Sequence, residues 1–205
     1  VDRPTILFTQ HSVTTEFEIA GEQIKPSLDA LNSLANEDIQ IFLTYPNNDA
    51  GGKRIIKAIN SHTSKNNKNI QTHISLGRYF YHGILALSKN QDNQVCCVGN
   101  SSSGIKETPA FGCPTVNIGS RQQGRLRAEN VLDAKYNTNE IEEKIKTCLF
   151  DNNFRELCKN CSNPYGQGDA GIKIANVLDK INLEKKTILR KEMTIEGYVQ
   201  DGWHK

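Results

Sequence analysis

Short apolar runs alternate with amphipathic stretches along most of this chain. Ile6-Leu7-Phe8, Ile39-Gln40-Ile41-Phe42-Leu43, Ile70 to Leu76, Val95-Cys96-Cys97-Val98 and Thr115-Val116-Asn117-Ile118 read as five strands. Between them the apolar residues change to helical spacing. Ile24, Leu28, Leu31 and Leu34 mark one helix, Ile55, Ile56 and Ile59 a second within Lys53 to His62, and Tyr79 to Leu87 a third. A further helix is expected from Ile105 to Phe111, and two late ones over Glu140 to Leu149 and Ala170 to Ile181. Strands alternating with helices of this length imply right-handed crossovers and a parallel sheet covered on both faces, so the expected fold is a doubly wound α/β domain. Residues 1–182 form that domain in this reading, and the mostly charged stretch 183–205 is a tail or docking segment. The Asn/Lys-rich stretch from Ser64 to Asn69 reads as a solvated connector.

Composition narrows the function classes. A net charge of +2 over 205 residues gives no electrostatic footprint for nucleic acid or an anionic membrane. No apolar run approaches the ~20 residues needed to cross a bilayer, and no signal-peptide pattern opens the chain. The first residue is Val1 rather than Met, which reads as a piece of a longer polypeptide. Cys96, Cys97 and Cys113 sit in apolar strand or turn contexts, while Cys148, Cys158 and Cys161 fall in the later helical part. Cys158-Lys159-Asn160-Cys161 has redox or zinc spacing, but no second pair or His cluster accompanies it. Reduced thiols in a cytoplasmic protein, with no metal, are the expectation.

The chemistry concentrates just past the strand ends, where doubly wound sheets bind their ligands. After the fourth strand comes Gly99-Asn100-Ser101-Ser102-Ser103-Gly104-Ile105-Lys106-Glu107. Small hydroxyl residues and glycine at a strand-to-helix junction leave room for a phosphate to approach backbone N–H groups, and Glu107, about one turn on, suits a ribose or sugar hydroxyl. The competing reading is a serine-rich turn with N-cap residues. His11 follows the first strand and is placed to donate to a phosphate oxygen or to stabilise charge on a departing nucleotide; its alternative is a surface histidine capping a turn. Asn47 and Asp49 follow the second strand. Arg121 and Arg125 follow the fifth, where a guanidinium would match a diphosphate or simply be solvated. Of Tyr79, Phe80 and Tyr81, one has room to stack on a base, and aromatics at a helix start also serve as core.

These residues fall into four blocks: Thr9-Gln10-His11-Ser12-Val13-Thr14-Thr15-Glu16, Pro46-Asn47-Asn48-Asp49-Ala50-Gly51, the serine loop through Glu107, and Gly119-Ser120-Arg121-Gln122-Gln123-Gly124-Arg125 followed by Glu129-Asn130-Val131. In that order they resemble the C-terminal half of the hydrolysing UDP-N-acetylglucosamine 2-epimerases, particularly the branch feeding sialic and related nonulosonic acids. The resemblance covers most of the chain from Thr9 to about Ile181. It implies one Rossmann-like half of a glycosyltransferase-B type fold, with UDP or a UDP-sugar between the halves and no cofactor. It also implies that Ser101, Ser102, Ser103, Gly104 and the adjacent backbone hold the diphosphate, and that Glu107 holds the ribose. His11 matches the family histidine near the diphosphate and sugar, Asn47 and Arg121 match polar positions facing the ligand, and Tyr81 matches the aromatic at the uracil. The implied reaction is anti elimination of UDP to a 2-acetamidoglucal, then syn addition of water, giving N-acetylmannosamine and UDP.

The resemblance also implies that the family's acid–base carboxylates belong to an N-terminal domain, expected to lie outside this chain. The resemblance therefore implies a parent that is the enzyme, expected as a homo-oligomer, and a chain inactive alone. A family proline is replaced by Ser12, which predicts a less rigid turn after His11. A glycosyltransferase half-domain, a UDP-N,N'-diacetylbacillosamine epimerase and a non-catalytic nucleotide-binding module remain the alternatives.

Overall fold

Strands in the middle of the sheet are buried on both faces and read as mostly apolar runs, whereas Ile70–His73 at one edge is polar and only partly buried. β1 (Thr5–Thr9) is buried throughout, and so is β4 (Val95–Gly99). A computed structural model describes residues 2–62 and 67–181. Among the described residues the sheet has six strands in the order β3-β2-β1-β4-β5-β6, all paired in parallel. The remaining strands are β2 (Gln40–Thr44), β3 (Ile70–His73), β5 (Thr115–Ile118) and β6 (Val131–Ala134). The expected doubly wound sheet is therefore present, with a sixth strand at the edge that the hydrophobic pattern did not announce. The third strand also ends at His73, short of the expected Leu76.

The period of two along each strand divides the core between the faces. Ile6, Phe8, Ile41, Leu43, Cys96 and Val98 pack on one side against helices α1 (Ala20–Gln23), α2 (Lys25–Asn36) and α3 (Gly52–His62), with α6 (Thr138–Phe150) beside them. Leu7, Val95 and Cys97 face the other side, under Leu85 of α4 (Gly77–Leu87). Helix α2 places Leu28, Leu31 and Leu34 one turn apart, all buried, with Pro26 in its first turn where the missing N–H costs nothing. Emptying one of these sites, for example Leu31→Ala, costs about 2–5 kcal/mol. Asn137 caps α6 by accepting from Glu140 N at 3.0 Å, and Asp151 caps α7 (Asn152–Asn160) at Asn153 N and Phe154 N.

Several local expectations change. The helix expected from Ile105 to Phe111 is a single turn, α5 (Ser103–Lys106), followed by a 3-10 turn at Thr108–Phe111. Pro109 and the Thr108 hydroxyl, which bonds the Gly104 carbonyl at 2.7 Å, divert the chain there. Asn69, expected in a solvated connector, is buried and donates to the Ala35 carbonyl at 2.9 Å while accepting from Arg3. The turn after His11 is anchored rather than loose: the Ser12 hydroxyl donates to the Ala50 carbonyl at 2.5 Å.

The chain divides into two compact units, Val1–Tyr165 and Gly166–Lys205. In the second, α8 (Ala170–Lys180) is described, and Asp169 and Lys173 pair at its start. The expected tail at 183–205 lies outside the described residues. Among the described residues no helix is long and apolar enough to cross a membrane.

Candidate functional site

The sheet order reverses between β1 and β4, so their carboxyl ends open a crevice flanked by crossovers running in opposite directions. Gly99 makes the close approach possible. Its φ is +128°, and a Cβ there would stand 2.0 Å from the Thr9 carbonyl oxygen. Beyond it Asn100, 1% exposed, ties the two strand ends together. Its Oδ1 accepts from His11 N at 2.6 Å, its Nδ2 donates to His11 O at 2.8 Å, and its own N–H reaches Thr9 O at 3.1 Å. The Asn100 carbonyl accepts from Arg121 at 3.1 Å and from Gln122 at 2.7 Å. The buried Asn100 side chain thus fixes the turn that carries His11, and its backbone carbonyl holds the loop that carries Arg121.

His11 is held in a defined tautomer. The Asn47 backbone N–H donates to its Nδ1 at 3.0 Å, leaving Nε2 to carry the proton. Burial, and next the Arg121 guanidinium, lower its pKa to about 4, against the opposing influence of Asp49 and the Asn47 side chain. His11 is therefore a neutral N–H donor near pH 7. The Asn47 amide in turn bonds Asp49 at 2.6 Å, and Asp49 lies 3.6 Å from Arg121. Asn47 and Arg121 are thereby joined to His11 in one polar network, although neither lines the cavity beside it.

That cavity, about 610 Å³, is open and lined by His11, Ser101, Ser103, Tyr81, His82 and Glu107, with Ile74 to Arg78 along one wall. The volume lies in the range that holds small-molecule ligands. Ser103 Oγ sits 2.6 Å from the Tyr81 hydroxyl and 3.1 Å from Ser101 Oγ, so a chain of hydroxyls runs across its floor. Burial pushes the Tyr81 pKa well up, so its hydroxyl stays protonated. Glu107, opposite, bonds His82 Nε2 at 2.8 Å.

The expected site residues separate accordingly. His11, Ser101, Ser103, Glu107 and Tyr81 share the cavity. Ser102 begins α5 outside its lining, its carbonyl accepting from Lys106 N at 2.9 Å. Gly104 faces the sheet, where a Cβ would meet Thr115 at 3.2 Å, so it lets α5 pack closely on β5. A helix dipole adds little here, because α5 is only one turn long. Asn130, from the fourth block, is buried and bonds Thr108 and Cys113 O, which is structural work. Asn100, Gln122 and His82 are additions of the structure; Asn100 and Gln122 lie inside the serine-loop and arginine-loop motifs, but their inward-facing bonds carry no sequence signal. Five of the six cysteines are buried and the sixth is half-buried; burial raises the thiol pKa values, keeping them protonated core residues.

The sheet order and the cleft at its switch point define a doubly wound, Rossmann-like parallel α/β domain, the architecture of one half of a glycosyltransferase-B type fold, and solved structures share it. The UDP-GlcNAc 2-epimerase from Neisseria meningitidis, solved with UDP-GlcNAc, aligns with a TM-score of 0.69 at 19% identity, covering 88% of this chain and 46% of that one. A Staphylococcus aureus protein solved with UDP aligns at 0.66 and 18%, covering 87% and 45%. The chain belongs to the UDP-N-acetylglucosamine 2-epimerase family, whose model matches residues 1–179. It is 33% identical over 154 residues to the hydrolysing GDP/UDP-N,N'-diacetylbacillosamine 2-epimerase of Campylobacter jejuni, covering 75% of this chain and 38% of that protein. It is 30% identical over 187 residues to a Legionella pneumophila UDP-N,N'-diacetylbacillosamine 2-epimerase, covering 91% and 45%. The UDP-N-acetylglucosamine 2-epimerase of N. meningitidis is 29% identical, with 66% and 33% covered. The chain thus spans less than half the length of these relatives.

Proposed function

We propose that this chain is the UDP-binding half of a hydrolysing nucleotide-sugar 2-epimerase. The observation that carries the reading is the switch-point cavity, where a neutral histidine N–H donor, two serine hydroxyls, a tyrosine and a glutamate converge. In this reading Ser101 and Ser103 donate to the diphosphate, with Ser102 and Gly104 shaping the turn beneath them. Tyr81 lies against the uracil and Glu107 accepts from the ribose. Arg121 and Asn47 supply charge and orientation around His11.

In the elimination step a base takes the C2 proton, the C2–H electron pair forms the C1=C2 double bond, and the bond between C1 and the diphosphate oxygen breaks with its electron pair leaving on UDP. His11 serves the leaving group. Its Nε2–H, fixed by the Asn47 N–H on Nδ1, donates to a diphosphate oxygen as negative charge builds there. The base for the C2 proton and the group that adds water come from the other half of the parent polypeptide. That half also completes the sugar pocket.

Two sugars fit this reading. UDP-N-acetylglucosamine would give N-acetylmannosamine and UDP, and the family model and the Neisseria relative favour it. A diacetylbacillosamine nucleotide would pass through the same elimination and hydration, and the Campylobacter and Legionella relatives favour that one. Incubating the parent polypeptide with each nucleotide-sugar and identifying the products by NMR separates them. Free 2-epimerised sugar plus UDP supports the proposal. A new glycoside, or no release of UDP from either substrate, refutes it.

A further inference from the structure

His82 stands at the middle of α4, one residue beyond Tyr81, and lines the same cavity. Its Nε2 lies 2.8 Å from Glu107 Oε2, and its ring leans on Phe111, centroids 5.3 Å apart. Glu107 itself stands at the junction of α5 and the 3-10 turn, with a side chain 44% exposed. A glutamate so exposed has many rotamers, and freezing them on binding weakens the contact it makes. His82 removes that freedom beforehand. It engages Oε2 of a glutamate that lines the cavity and leaves Oε1 to a ligand, while Phe111 packs against the imidazole.

We propose that His82 is a positioning residue that aims the Glu107 carboxylate at the ribose hydroxyls of the nucleotide, and so sets the site's preference for ribonucleotides over deoxyribonucleotides. This rests on the UDP-binding reading above. Two carboxylate oxygens divide the work: one is anchored to the protein, and the other accepts from the ligand. Since His82 acts through Glu107, its loss weakens only ligands that carry the hydroxyl.

The experiment is calorimetric titration of the 205-residue chain with UDP, 2'-deoxy-UDP and 3'-deoxy-UDP, for the parent sequence, His82→Phe and His82→Gln. His82→Phe keeps the packing on Phe111 and removes the donor, whereas His82→Gln keeps a donor. For the parent sequence UDP binds more tightly than at least one deoxy analogue. In His82→Phe, UDP weakens about five- to tenfold, as loss of one charge-assisted contact predicts. The deoxy analogue barely changes, so the preference collapses, and His82→Gln restores part of it. An equal loss for all three ligands in His82→Phe, or an unchanged preference, overturns the role of His82. A parent sequence that binds UDP and both deoxy analogues equally overturns the ribose contact of Glu107 and with it this role. No binding of any of the three overturns the UDP reading itself.

Discussion

Replacing Asn100 should cost more than any other polar substitution around the cleft. Its side chain is buried and makes two hydrogen bonds to the backbone of a single residue, at 2.6 Å to His11 N and 2.8 Å to His11 O. Asn100→Ala removes both partners and leaves a peptide N–H and a carbonyl without acceptor or donor, at about 1–1.5 kcal/mol each when partly reached by water. The expected loss is therefore about 2–3 kcal/mol, which for a domain of this size moves a urea midpoint down by about 1 M. Asn100→Asp is the sharper variant. It keeps the acceptor for His11 N–H but turns the second oxygen toward the His11 carbonyl, so near-identical shape should still destabilise by a similar amount. Arg121 and Gln122 bond the Asn100 carbonyl rather than its side chain, so their loop stays in place. Equilibrium urea unfolding followed by circular dichroism gives the numbers, and UDP titration of the folded variants shows whether moving His11 weakens binding. A stability loss below about 0.5 kcal/mol in both variants would mean that Asn100 does not clamp the two strand ends.

Three further outcomes follow from the same geometry. His11 has a folded pKa of about 4 against 6.5 in the unfolded chain, so the unfolded state binds the extra proton between those values and stability falls as pH drops through that window. Between pH 7.5 and pH 5 the parent sequence should lose about 1 kcal/mol more than His11→Gln, after allowance for partial exposure; equal losses in paired urea titrations would refute the assignment. Gly99→Ala should cost at least about 3 kcal/mol or abolish folding, because its Cβ would collide with the Thr9 carbonyl at 2.0 Å; a thermal midpoint within two degrees of the parent's would contradict this. Glu107→Ala should weaken UDP binding about tenfold with the circular dichroism spectrum unchanged, and unaltered affinity would remove Glu107 from the ribose.

Much of the sheet was legible because its central strands are buried on both faces and so carry mostly apolar runs. β6 escaped because it is an edge strand of four residues in which Leu132 is half-buried and Asp133 is exposed, accepting from Asn117 and pairing with Arg127. The helix after the serine loop was overextended, since its arrest depends on Thr108 reaching back to Gly104 and on Thr115 and Asn130 holding Thr108, contacts made by the fold rather than by spacing. At the site, the strand-end rule brought His11, the serines and Glu107 into view together. It could not distinguish Ser103, which faces the cavity, from Gly104, which faces the sheet, because neighbours on one turn point in different directions. Nor could it show that Asn100 works inward, or that His82 across the cleft meets Glu107, a pairing of residues 25 apart.

The central claim is that the crevice between β1 and β4 receives a uridine diphosphate, and an amide-resolved NMR titration of the chain tests it most directly. With UDP into the millimolar range and AMP as control, shifts selective for UDP are expected at His11, Tyr81 and Ser101 through Glu107. Equal shifts with both nucleotides, or UDP shifts confined to residues away from that crevice, would contradict it.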